Sequence, residues 1–336
     1  MRLSRSQRMR LVHKECDLFT KNATCSQNAF AFAAWKKKGQ RLRKNQAMIQ
    51  YLVFGGGGIR GQAYSGCLDE MKRELDFDFR TLRGAAGTSV GALYAAAIAS
   101  GIPIDKIAAI SDSTSLIDIV SPHLTTFVMN YGFDTGKSLE DWIDAHLGSK
   151  KETMDEMFSR TGIDLRVYVT NMTSCTSEIL SHETAPNLPV ARAVFMSMCL
   201  PPLFCPAKYK GCVYVDGGIY NNFPIRAFGD PEHTVGLKVC WNYVSNLGGS
   251  FETYMSRLTY CVLSSSEEEK WKYLDEAYKN NTVLIDCGDV STLHWRVTPN
   301  MAKALDRAGR GAMRVFLRKN ISPVAKTSSD VGVQTE

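Results

Sequence analysis

At 336 residues, 44% hydrophobic and 22% charged, the chain has the balance of a globular protein and the length for one large domain or two small ones. No run reaches the ~18 consecutive apolar residues of a membrane-spanning helix. Ten cysteines without one Cys-x-x-Cys pair point to free thiols in a reducing compartment, which excludes a disulfide framework and a cysteine-based zinc site. The net charge of +6 is modest and gathers at the two ends.

Residues 1–47 read as a basic leader, densest at Lys36-Lys37-Lys38 with Arg41, Arg43 and Lys44. A solvated face, a nuclear-import signal and attraction to anionic lipid are all open to it. Its apolar patch at 29–35 is short and far from the start, so no secretory signal is expected. The sequons at Asn22, Asn171 and Asn280 are then incidental, and the expected location is intracellular, cytoplasmic or peripheral on a membrane. Residues 49–54 (Ile-Gln-Tyr-Leu-Val-Phe) predict a buried strand running straight into Gly55-Gly56-Gly57-Gly58, with a helix following over 62–75. A second such unit follows: a strand near 82–86, the turn Gly87-Thr88-Ser89-Val90-Gly91, and a small-residue helix over 92–100. Two consecutive strand–turn–helix units predict an α/β fold of three layers with a mainly parallel central sheet.

Downstream, a helix is expected over 138–148 with Ser138 as its cap, a strand pair at 165–171 and 177–181, and a helix over 190–200 broken by Pro201-Pro202. Strands at 212–215 and 234–241 follow, then one amphipathic helix over 251–279, a strand at 283–286 and a final helix over 299–319. The tail from Ile321 is polar and expected to be disordered. The main domain is thus placed at 48–320.

The chemistry centres on the Gly-x-Ser-x-Gly turn at Ser89. A serine on a sharp strand-to-helix turn holds its hydroxyl above a sheet, and the helix start behind it favours developing negative charge. The glycine loop suits an oxyanion, because bare backbone N–H groups can approach a small anion closely. Gly56-Gly57-Gly58-Ile59-Arg60-Gly61 also fits the dinucleotide fingerprint, with Asp76 or Asp78 near the acidic position. For a base, His233 and His294 follow Ser89 in the order a Ser-His-Asp hydrolase requires. Asp216 ends a strand, with Gly217-Gly218 behind it and Asn221-Asn222-Phe223-Pro224 beyond. It could reach a serine hydroxyl, or simply open a tight turn.

Together, Gly56-Gly57-Gly58-Ile59-Arg60-Gly61, Gly87-Thr88-Ser89-Val90-Gly91 and Asp216-Gly217-Gly218 closely resemble the motifs of the patatin-like phospholipases and lipid acyl hydrolases, across roughly 50–227. Gly55, where many relatives carry an acidic or small polar residue, and Met198-Cys199-Leu200-Pro201 depart from that pattern. The resemblance implies a calcium-independent phospholipase of A type working through a Ser89–Asp216 dyad and an acyl-enzyme. The N–H groups of Gly56, Gly57 and Gly58 would form the oxyanion hole, and neither metal nor cofactor is implied. Gly61, Gly87, Gly91, Gly217 and Gly218 complete the motifs. Arg60 has two readings, contact with a phosphate head group or anchorage of its own loop by pairing with an acidic neighbour. The partner implied is a phospholipid or other acyl-ester lipid at a membrane surface, approached through the basic segments 36–44 and 303–319. In the latter, Lys303, Arg307, Arg310, Arg314 and Arg318 form a cationic stripe beside Met301, Leu305, Ala308, Ala312, Val315 and Phe316. Such a helix can lie on anionic lipid or pack on the core with a solvated basic back. Nucleic acid is not expected, because aromatic residues are not interleaved with the charges.

Overall fold

The computed structural model describes residues 48–104, 106–107, 119–148, 151–240, 251–290 and 297–320. The basic leader, the polar tail and His294 lie outside the described residues. Among the described residues eight strands form one sheet: β1 (Tyr51–Phe54), β2 (Gly84–Thr88), β3 (Asp164–Asn171), β4 (Thr176–Leu180), β5 (Ala207–Tyr209), β6 (Cys212–Asp216), β7 (Thr234–Val239) and β8 (Thr282–Ile285). The neighbours β3-β2-β1-β7-β8 run parallel, while β4 and β6 meet β3 antiparallel and β5 pairs antiparallel with β6.

Alternation along the strands divides the interior into two cores. Leu52, Phe54 and Ala85 face one core, and Val53 and Ala86 face the other. The first and larger core is covered by α1 (Ala63–Leu75) and α2 (Val90–Ala99), whose Cys67, Met71, Ala95 and Ile98 are buried against β1–β3. Further along come α3 (Leu124–Asn130), α4 (Lys137–Leu147), α5 (Met154–Thr161) and α6 (Val190–Met198). Ile143, Met157 and Phe195 extend the same core. The second core is thinner: Phe223, Ile225 and Ala227 lie under the sheet with Tyr278. Helices on both faces give the three-layer arrangement expected.

After β6 come α7 (Gly218–Asn221), α8 (Phe251–Lys272), α9 (Glu276–Asn280) and α10 (Pro299–Asn320). The single helix expected over 251–279 is two. Leu274 tucks against the second core and Asp275 takes extended backbone at the start of α9, which breaks the helical run. α4 begins at Lys137 with Gly136 as its cap in the left-handed region (φ 76°), and Ser138 is inside it. Asp134 fixes that start by accepting the Gly136 N–H at 2.6 Å. α10 packs on α1 at a close crossing where a side chain on Gly66 would strike the Asp306 carbonyl and one on Gly309 the Ala63 carbonyl. No described helix is long and apolar enough to cross a membrane.

Candidate active site

The site arises where two strands meet end to end. β2 runs parallel to β3 and finishes with Thr88 opposite Tyr168, while β6 runs antiparallel and finishes with Asp216 opposite Val169. β4 pairs with Val167 to Asn171, overlapping both partners, so β2 and β6 must share the other edge of β3. Their last residues therefore converge on adjacent positions of one strand. Ser89, next after β2, and Gly217, next after β6, turn out of the sheet at the same spot. A side chain on Gly217 would run into the Tyr168 carbonyl, so the convergence needs a glycine there.

Ser89 has φ 54° and ψ −128°, a conformation that L residues rarely adopt. Neighbouring contacts hold it there. Its N–H donates to Ser197 Oγ at 2.8 Å, and that hydroxyl donates in turn to the Tyr168 carbonyl at 2.6 Å. Behind the turn, a side chain on Gly91 would come within 2.5 Å of the Phe54 and Gly55 carbonyls, which seats the start of α2 on the end of β1. Gly87 packs on Gly91, and Gly61 on Val90. Ser197 is fully buried in α6, and no sequence motif marks it, since its role depends on contacts with residues over 25 positions away.

The Ser89 hydroxyl lies beside Asp216, whose side chain is buried at 2% exposure. Burial pushes the Asp216 carboxyl up to about 6, against the Ser89 hydroxyl and the Gly218 N–H, which pull it down. The Gly218 N–H donates to Asp216 Oδ1 at 2.7 Å. The Asp216 and Gly217 N–H groups donate to the carbonyls of Cys199 and Ser197, so α6 fixes both halves of the pair. Cys199, beside them, is no rival nucleophile: burial pushes its thiol up to about 12.

The glycine loop lies against the same turn, since a Cβ on Gly56 would be 3.4 Å from Ser89 Cβ. The three expected oxyanion donors are not equivalent. The Gly56 N–H donates to the Asn222 carbonyl at 2.8 Å and is thus turned away from a ligand. Gly57 precedes and Gly58 opens a short 3-10 helix (Gly58–Gln62), a place where backbone N–H groups lack intrahelical acceptors. Arg60 is 2% exposed, and its Nη1 donates to the Cys240 carbonyl at 3.0 Å. Its burial sets it back from the surface, and the partner of Nη1 is a backbone carbonyl of the strand end instead of the acidic side chain expected of a loop anchor.

His233 is at the wrong end of the sheet. It precedes β7, whose first residue pairs with the first residue of β1, and its ring meets Asp230 at 3.0 Å. Ser89 follows the last residue of β2, so some six strand positions, roughly 20 Å, separate the two levels. The dinucleotide reading fails in a similar way. Asp78 caps a turn ahead of β2 and pairs with Arg80, away from the loop end of the sheet. On α10 two of the five stripe cations are consumed within the fold, while Lys303, Arg307 and Arg318 stay exposed. Arg310 pairs with Asp69 and Asp306, and Arg314 with the fully buried Glu70 of α1. Leu305, Gly309, Met313, Phe316 and Leu317 are the buried face, while Val315 is 67% exposed, so the core-packing reading describes this helix.

Residues 52–228 match the family model described as patatin-like phospholipase. The chain is 27% identical over 293 residues to the uncharacterized protein YqhO of Bacillus subtilis, covering 80% of this chain and 97% of that one. It is 28% identical over 187 residues to the probable lipid hydrolase 463L of Invertebrate iridescent virus 6, covering 52% of this chain and 61% of that protein. Among solved structures, VipD from Legionella pneumophila superposes with a TM-score of 0.52 at 20% identity, over 81% of this chain and 67% of that one. That likeness is one of fold.

Proposed function

Because the chain belongs to the patatin-like phospholipase family, we propose that it cleaves acyl esters of phospholipids, with A-type specificity, through a Ser89–Asp216 dyad that needs no calcium. The observation that carries this reading is the convergence of Ser89, strained on its turn, with a buried carboxyl pushed up to about 6, at adjacent positions of β3. A base poised near working pH both accepts and returns a proton readily. Asp216 takes the hydroxyl proton as Ser89 Oγ attacks the ester carbonyl. The N–H groups of Gly57 and Gly58 receive the oxyanion, and Asp216 returns the proton to the departing alcohol. Water, deprotonated by the same carboxylate, then releases the fatty acid from the acyl-enzyme. Each charge that develops is met by a group of the chain, so turnover is expected to persist in a chelator.

The substrate lies in an interface, and contact with anionic lipid falls to the exposed cations of α10, Lys303, Arg307, Arg318 and Lys319, together with the basic segment 36–44.

The test is fatty-acid release from mixed phospholipid vesicles in a calcium chelator, comparing wild type with Ser89→Ala and Asp216→Asn. Both folded variants should lose at least ~10³-fold in kcat, the scale of removing a nucleophile or its base. A wild type that releases no fatty acid and takes no fluorophosphonate at Ser89 would overturn the reading in favour of an anion-binding role for the glycine loop.

A further inference from the structure

The oxyanion loop is braced from outside the motifs. Asn222 grips Gly56 twice: its carbonyl accepts the Gly56 N–H at 2.8 Å, and its Nδ2 donates to the Gly56 carbonyl at 3.4 Å. The second contact is long, yet it acts on the more consequential group. A trans peptide is planar, with its C=O and N–H pointing in opposite directions. Drawing the Gly56 carbonyl toward Asn222 therefore turns the Gly57 N–H, in the same peptide, to the opposite side. Whatever fixes the Asn222 amide thus aims one of the two oxyanion donors.

That amide is held by Glu267. Asn222 Nδ2 donates to Glu267 Oε2 at 2.5 Å, and Lys238 Nζ pairs with the other oxygen of the same carboxylate. Glu267 is 6% exposed on α8, and Lys238 is in β7; both lie beyond residues 52–228. A buried carboxylate with a cation on one oxygen and an amide on the other has little freedom to turn. The Asn222 side chain consequently cannot rotate without leaving a buried charge short of a donor.

We infer that Glu267 is a positioning residue for the oxyanion hole, acting through Asn222 on the Gly56–Gly57 peptide. This rests on the hydrolase reading above, and it predicts a defect in kcat with little change in KM. Glu267→Ala should lower kcat on a soluble p-nitrophenyl ester by about 10- to 100-fold per labelled site with KM within about threefold, since a misaimed donor weakens only the transition state. Glu267→Gln keeps an oxygen for the Asn222 amide and should restore most of that loss. Asn222→Ala combined with Glu267→Ala should be no slower than Asn222→Ala alone, because the two residues act in series. Fluorophosphonate labelling counts active sites in every sample. Glu267→Met, which preserves volume, replaces the alanine variant if that one does not fold.

Failure of wild type to label would sink the hydrolase reading itself. Normal labelling with an unchanged kcat in Glu267→Ala, or an equal loss in the glutamine variant, would overturn the positioning role alone. So would multiplicative losses in the double variant.

Discussion

Asp216 makes the fold less stable at the pH at which it would work. Its carboxyl ordinarily titrates near 3.8 and here near 6, so the folded chain holds the proton more tightly than the unfolded one. The contribution to stability is therefore complete below about 3.8 and is lost as pH rises through about 6. A shift of this size corresponds to about 3 kcal/mol by pH 8. Asp216→Asn should accordingly gain stability over wild type between pH 4 and pH 8 in urea melts, although the proposed dyad predicts that it loses activity. Parallel stability curves for the two proteins across that range would contradict the burial argument. The same titration should give kcat/KM an acid limb of unit slope centred near pH 6. The candidate pair was legible in the sequence because glycines bracket Ser89 and follow Asp216. Ser197, Asn222 and Glu267 were not, because their value lies in hydrogen bonds that only the folded chain brings together.

Among the elements, the pairing of α1 with α10 depends on two glycines facing each other's helix backbone. Gly309→Val should cost about 1–3 kcal/mol, because the obstacle is the Ala63 carbonyl and backbone cannot rotate out of the way as a side chain can. Chemical denaturation measures it directly, and an unchanged midpoint would mean that the helices separate without loss. Strands β1 and β2 and the helices after them could be read from the sequence, since apolar runs ending in glycine clusters leave few alternatives. α10 was recognisable as amphipathic, but its burial was not. Arg310 and Arg314 look like a free cationic stripe until Asp69 and Glu70, some 240 positions earlier, are seen to face them. β5, only three residues long, offers too short a pattern to detect. The break at Asp275 escapes for a different reason: Tyr273-Leu274 continues the helical spacing, and it is the pull of the second core on Leu274 that ends it.

For the molecule as a whole, the proposed lipid contact rests on the charges remaining at the surface. Each Lys or Arg near anionic lipid adds about 1 kcal/mol, and the attraction fades within a Debye length. Lys303→Glu with Arg307→Glu should therefore weaken sedimentation with phosphatidylserine vesicles by tenfold or more, with hydrolysis of a soluble ester preserved. Equal binding by the double variant would move the lipid contact elsewhere on the surface.

The head-on meeting of β2 and β6 also sets an order in time. The Ser89 turn is encoded by residue 91, yet its proposed base arrives only when the chain has been made through residue 216 and β6 has found the edge of β3 beyond β2. Pairings so distant in sequence form late, because a long loop must close before they are rewarded. Helix signal in a refolding experiment should thus recover ahead of fluorophosphonate reactivity, and a nascent chain halted before residue 216 should carry the serine in an unreactive form. On the proposed dyad, Ser89 would stay unreactive until the sheet around it is finished, so activity would be tied to completion of the fold.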